Sequence, residues 1–170
     1  MGSEFSFNVS FEIDYDMKIE SPTDIDVERP LQIQEKYMIL VAEDNKINQI
    51  VTQNILQKGN FDCEIVENGL EAFNAVRDNN IYDLVLMDLN MPIMNGIESL
   101  KEIRKINKYI PVIALTAADI EEVKNDFSNL GFNDIVTKPF DNFEFYQKIT
   151  ACIQQYRMNV TSDDPLIRAS

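Results

Sequence analysis

The chain has 170 residues, enough for one domain of ordinary size with short extensions and too few for two full ones. Hydrophobic residues make up 45% of it, so a real core can form and wholesale disorder is excluded. Lysine and arginine number 15 against 29 aspartates and glutamates, a net charge of -14 that disfavours nucleic acid and anionic membrane surfaces as partners. There are 0 histidines, which removes Ser-His-Asp and Cys-His nucleophile systems, imidazole zinc sites and the commonest general base near neutral pH.

In chain order, residues 1–36 come first and hold nine acids against three bases. Phe5, Phe7, Val9, Phe11 and Ile13 alternate with other residues there, a strand pattern of period two. Ser21-Pro22-Thr23-Asp24 and Arg29-Pro30 then read as linker. Five apolar, β-rich runs follow at 37–42, 61–66, 82–87, 110–115 and 132–137, each separated from the next by a helix-compatible stretch. In the first such stretch Ile47, Ile50, Val51 and Ile55 share one helical face, the pattern by which a helix packs on a core. Ile97, Leu100, Ile103 and Ile106 behave alike, as do Ile120, Val123, Phe127 and Leu130. Gly59 and Gly131 stand where helices should stop.

Repeated β-α units imply a parallel sheet, because each parallel crossover needs a dozen or more residues. Met38-Ile39-Leu40-Val41 and Leu84-Val85-Leu86-Met87 are almost wholly apolar, as central strands covered on both faces should be. Asp62-Cys63-Glu64-Ile65 is more polar and suits an edge. The expected architecture is a three-layer αβα sandwich over 37–156, followed by a frayed tail over 157–170. Cys63 and Cys152 are expected to be reduced core thiols. No apolar run reaches the ~18 residues of a membrane span and no signal peptide is read, so the expected location is the cytoplasm.

Polar residues gather at the ends of these runs, where open α/β sheets bind ligands: Glu43-Asp44, Asp88, Thr116 and Lys138-Pro139. Each has a bland reading alone. Glu43-Asp44-Asn45 can cap a helix, Asp88 with Asn90 can make an Asx turn, Thr116 can cap, and Lys138 can be a solvated charge. The conjunction on one sheet edge is what signals chemistry. Three carboxylates placed together repel, by about 4 kcal/mol per pair at ~4 Å and an effective dielectric of ~20, unless one protonates or a cation intervenes. Oxygen ligands without His or Cys favour Mg²⁺, with Mn²⁺ as the alternative. A carboxylate beside such an ion, with an ammonium and a hydroxyl nearby, is arranged to attack a phosphoryl group and needs no general base.

Val41-Ala42-Glu43-Asp44-Asn45-Lys46-Ile47-Asn48 resembles the opening of a two-component response-regulator receiver domain. Leu86-Met87-Asp88-Leu89-Asn90-Met91-Pro92-Ile93-Met94-Asn95-Gly96 resembles that family's phosphoacceptor strand and loop. Pro111-Val112-Ile113-Ala114-Leu115-Thr116-Ala117 and Lys138-Pro139-Phe140 complete the likeness. The resemblance covers roughly residues 37–156 and implies the flavodoxin-like strand order 2-1-3-4-5, for which a receiver is a standard example. It implies that Asp88 accepts the phosphoryl group. Glu43, Asp44, Asp88 and the Asn90 backbone carbonyl would hold Mg²⁺, Asp44 directly and Glu43 through water. Lys138 would pair with the phosphate before a cis Pro139, and Thr116 and the Ala117 N–H would contact it. One departure is Ile135, which stands where the family places the aromatic partner of the Thr116 switch.

Gly2-Ser3-Glu4-Phe5-Ser6-Phe7-Asn8-Val9-Ser10-Phe11 resembles the closing strand of a histidine-kinase ATP-binding domain. Gly2-Ser3-Glu4-Phe5 is also what adjacent cloning sites encode, but the alternation runs on to Ile13. The implied parent is a hybrid histidine kinase, open to membrane anchoring outside this chain. Its receiver would catalyse its own aspartyl phosphorylation without turnover. The donor would be a phosphohistidine on a kinase domain, and a phosphotransfer domain or regulator would lie downstream. Two other readings remain at this point: a receiver that docks independently of phosphorylation, and an aspartate-nucleophile phosphohydrolase. The second is weakened by Asn90, which stands where such enzymes carry an acid.

Overall fold

In a computed structural model, residues 36–117, 127 and 129–163 are described. The alternating segment at 5–13, the linker and most of the stretch at 120–130 lie outside them. Five strands form one parallel sheet: β1 (Met38–Ala42), β2 (Asp62–Val66), β3 (Leu84–Asp88), β4 (Val112–Ala117) and β5 (Asp134–Lys138). Their order is β2-β1-β3-β4-β5, as the resemblance implies. Helices α1 (Lys46–Lys58), α2 (Gly69–Asp78) and α3 (Gly96–Ile106) connect them, and α4 (Asn142–Asp163) follows the last strand.

Side chains alternate across a strand, so the unbroken apolar runs supply two cores at once. Leu40, Val85, Met87, Val112 and Ala114 face one side and pack with Ala72, Val76, Leu100 and Ile103 of α2 and α3. Ile39, Val41, Leu84, Leu86, Ile113 and Leu115 face the other, against Leu56 of α1 and Phe145, Ile149 and Ile153 of α4. The more polar β2 is an edge strand, as its composition predicts.

Two expectations are corrected. Three of the four residues read as the core face of α1 point outward: Ile47, Ile50 and Val51 are 71%, 59% and 49% exposed, whereas Ile55 packs partly buried on the core beside Leu56, and Gln49 and Thr52 take the inner face. The helix phase is set by hydrogen bonds at its first turn, where Asn45 caps the Ile47 and Asn48 N–H groups and Gln49 donates to the Glu43 carbonyl at 2.6 Å. The C-terminal stretch is also not frayed from Arg157, because α4 continues to Asp163. Arg157 donates to Asp83 at 3.2 Å and lies over the Tyr37 ring, 4.7 Å from its centroid.

Reversal of the winding direction between β1 and β3 opens a crevice at their C-terminal ends. Glycine lets α3 begin against that edge. The N–H of Gly96 donates to the Leu89 carbonyl, and a Cβ added at Gly96 would stand 2.3 Å from the Asp88 carbonyl oxygen. That neighbour is backbone and cannot swing aside. Gly96→Ala is therefore expected to destabilise the fold by about 1–3 kcal/mol, read as a lower urea midpoint with unchanged slope.

Candidate functional site

Strand register assembles the site. Ala42 pairs with Met87, Asp88 with Leu115, Thr116 with Thr137 and Ala117 with Lys138. Glu43, Asp88, Thr116 and Lys138 thus arrive together at one edge of the sheet, although 95 residues separate the first from the last. The chain is pinned on either side of them. Glu43 donates its N–H to the Val66 carbonyl at 3.0 Å, and Phe140, just past Lys138, stacks on buried Phe145 at 4.2 Å between centroids. The Lys138-Pro139 peptide is cis.

Glu43 is fully buried. Its Oε1 accepts from the Asn45 N–H at 3.2 Å and the Asn48 Nδ2 at 3.1 Å, and its Oε2 accepts from Lys138 Nζ. Asp88 is nearly buried, with Oδ1 accepting from the Asn90 N–H at 2.9 Å and Oδ2 accepting from Lys138 Nζ at 2.6 Å. Asp44 is exposed at the rim. Carboxylate oxygens of Glu43, Asp44 and Asp88 all lie within 4.8 Å of one another. Burial pulls the Lys138 ammonium down, but its hydrogen bonds to Asp88 and Glu43 and their charges outweigh that and raise its pKa above the ordinary lysine value.

Set against the expectations, Glu43, Asp44, Asp88 and Lys138 converge, and Lys138 is not a solvated charge but a bridge between two of the acids. Thr116 is buried one strand over, its hydroxyl donating to the Ala117 carbonyl at 3.1 Å, and Ala117 is exposed. Ile135 is half-buried against the cluster that holds Leu100, Ala114 and Phe132. The Asx turn from Asp88 to Asn90 exists, and so does the cap at Asn45, so these bland readings hold alongside the cluster. Sequence reasoning missed Asn48 and Gln49, both of which bond Glu43. Their only signal was two amide residues one turn into the helix that follows it.

The loop after Asp88 is tightly constructed. Met94 N–H donates to the Pro92 carbonyl at 2.7 Å across Ile93, whose φ of 70° is strained for a β-branched residue. This turn aims the Met94 carbonyl at the Gly69 N–H, 2.9 Å away, and ties the loop to the start of α2.

The donor set fits a hard divalent cation. It is all oxygen, it includes no thiolate or imidazole, and one ammonium against three carboxylates leaves two negative charges to balance.

Residues 39–150 match the response regulator receiver domain family. The chain is 36% identical over 126 residues to hybrid signal transduction histidine kinase I of Dictyostelium discoideum, covering 69% of itself but only 7% of that kinase. The receiver domain of a sensor histidine kinase from Pseudomonas aeruginosa, solved with magnesium coordinated in its active-site cleft, superposes with a TM-score of 0.65. It shares 30% identity and aligns with 71% of this chain and 99% of that one. A Saccharomyces cerevisiae response-regulator receiver, solved in complex with a histidine phosphotransfer protein, gives 0.63 and 32% over 70% and 91%.

Removing the bridging ammonium should expose its contribution. Lys138→Met is expected to cost about 1–3 kcal/mol in urea unfolding without divalent metal, because it strands two buried carboxylates. Added Mg²⁺ is expected to recover more stability in the variant than in the wild type.

Proposed function

The chain belongs to the response regulator receiver domain family, the receiver module of two-component phosphorelay systems, and on that premise we propose that Asp88 accepts a phosphoryl group from phosphohistidine. The observation that carries this reading is the Lys138 ammonium shared between Glu43 and Asp88 within a three-carboxylate cluster at the sheet's switch point. A carboxylate oxygen of Asp88 attacks phosphorus, the P–N bond breaks, and its electron pair leaves on the donor imidazole. Lys138 is already hydrogen-bonded to the nucleophile, so its charge meets the developing phosphoryl oxygens without a large rearrangement. Thr116 would exchange its bond to the Ala117 carbonyl for one to the phosphoryl group, with the Ala117 N–H as a second donor. Mg²⁺, held by Asp44, Asp88 and the Asn90 carbonyl directly and by Glu43 through water, would neutralise charge on the transferring oxygens, and the same oxygen donors suit Mn²⁺.

The hydrogen-bond pattern supports the indirect role of Glu43, whose two oxygens already accept from three protein donors. With Ile135 in place of an aromatic, signal output runs through Thr116 and the neighbouring loops rather than through a ring at position 135. Neither alternative reading is favoured. An aspartate-nucleophile phosphohydrolase lacks its acid at Asn90, and a pure docking module has no need of the intact cluster.

The parent we propose is a cytoplasmic or membrane-anchored hybrid histidine kinase, with residues 1–36 as the end of its ATP-binding domain plus linker and the receiver from 37 onward. The outward apolar face of α1 suits the donor domain, because a phosphohistidine reaching Asp88 must approach this edge and Ile47 lies two residues past the Asn45 cap. A downstream phosphotransfer protein would use the same approach.

Incubation with acetyl phosphate or a phosphorylated histidine domain, with Mg²⁺, is expected to add one phosphoryl group by intact mass to the wild type and none to Asp88→Ala. A folded wild type that gains nothing from either donor, or an Asp88→Ala chain that still gains mass, would overturn the reading. Ile50→Asp is expected to slow transfer from the protein donor about tenfold while sparing transfer from acetyl phosphate.

A further inference from the structure

We infer that Asn48 is a positioning residue for phosphoryl transfer, its amide acting through Glu43 to keep the Lys138 ammonium on Asp88. The inference rests on the reading of Asp88 as phosphoacceptor.

The chain of contacts is continuous. Asn48 Nδ2 donates to Glu43 Oε1 at 3.1 Å, Glu43 Oε2 accepts from Lys138 Nζ, and the same ammonium donates to Asp88 Oδ2 at 2.6 Å. A carboxylate hinged on its side chain can rotate, and an ammonium follows the acceptor that moves. Here the Asn45 N–H and the Asn48 amide converge on Oε1 and hold the carboxylate plane, so Oε2 can present to Lys138 in one orientation. Gln49 acts elsewhere on the same residue. It donates to the Glu43 backbone carbonyl at 2.6 Å and fixes the main chain rather than the carboxylate.

The phase of α1 argues that this arrangement is what the helix serves. Over its first two turns the inward side carries Gln49 and Thr52, both buried, and the outward side carries Ile47, Ile50 and Val51; Ile55 and Leu56 pack on the core only further along. Turning the helix to bury Ile47 and Ile50 would carry Asn48 and Gln49 off Glu43. The sequence has forgone burial of three branched apolar side chains and kept the two amides on one buried acid. Packing of Ile55 and Leu56 seats the far end of the helix, and at its first turns the demand of a buried carboxylate for fixed donors accounts for the two amides.

The test uses the full chain in two states. In metal-free protein at low temperature, the Lys138 side-chain ammonium, hydrogen-bonded to two carboxylates, is expected to give a slowly exchanging ¹⁵N–¹H resonance that vanishes in Lys138→Arg. Asn48→Ala is expected to broaden it beyond detection, and Asn48→Gln, which keeps the amide, is expected to restore it in part. At saturating Mg²⁺, Asn48→Ala is expected to accept the phosphoryl group from acetyl phosphate about tenfold more slowly than wild type. In a Glu43→Gln background the same change is expected to have little further effect, since the link it works through is already cut.

A merely structural asparagine would lower the urea midpoint and leave both the resonance and the rate of the folded protein in place, and that result overturns the inference. So would an Asn48→Ala effect equally large in the Glu43→Gln background. A wild type that accepts no phosphoryl group overturns the reading of Asp88 instead, while the metal-free resonances still decide the positioning.

Discussion

Lys138 stands where the ends of four strands meet, and its ammonium pairs with both Glu43 and Asp88. Two carboxylates held this close to a third repel strongly in a half-buried crevice, and without a cation the edge of the sheet would splay or protonate. Much of the surrounding structure answers to that constraint. The parallel register delivers the four strand ends to one level, Gly96 lets α3 begin within contact of the Asp88 backbone, and α1 is turned so that its amides reach Glu43. Under the proposed function, the same ammonium that balances the free site would meet a phosphoryl group arriving on Asp88. Charge balance in one state and charge stabilisation in the next would then be served by one group.

Most of this was legible in the sequence. Unbroken apolar runs announced doubly covered strands, the polar Asp62-Cys63-Glu64 run announced an edge, and acids, a hydroxyl and a lysine at the run ends announced the site. Strand order came from resemblance and not from periodicity. The misreading of α1 has a physical source: an apolar period counts side chains and cannot see that a buried glutamate in the preceding turn outbids them for the inner face. Arg157 was misread for a related reason. It sits in a polar stretch, yet its guanidinium is held by Asp83 and the Tyr37 ring, both distant in sequence. Arg104 gave no signal at all, though its guanidinium donates to the Gly131 and Ile110 carbonyls and the Asn133 side chain, joining the starts of β4 and β5.

The apolar aromatics near the last helix show how far composition reaches. Phe145 is buried and Phe143 is 48% exposed, although both fit a core or a partner face equally well in sequence. Helix phase decides between them, and phase depends on the cap at Asp141, whose carboxylate accepts from the Phe143 and Glu144 N–H groups. Output must also follow from geometry. Thr116 and Ile135 occupy adjacent strands and the isoleucine is half-buried against the core cluster, so a switch under the proposed function would move the Thr116 hydroxyl rather than a ring at position 135.

The central claim is that the bond to phosphorus forms on Asp88 and not on its acidic neighbours. Borohydride reduction of the phosphorylated chain converts an acyl phosphate to an alcohol and releases phosphate, leaving homoserine where the aspartate stood. Peptide mass mapping after this reduction should find homoserine at position 88 alone. A reduced side chain at Asp44 or Glu43, or a phosphorylated chain in which position 88 stays aspartate, would contradict the account.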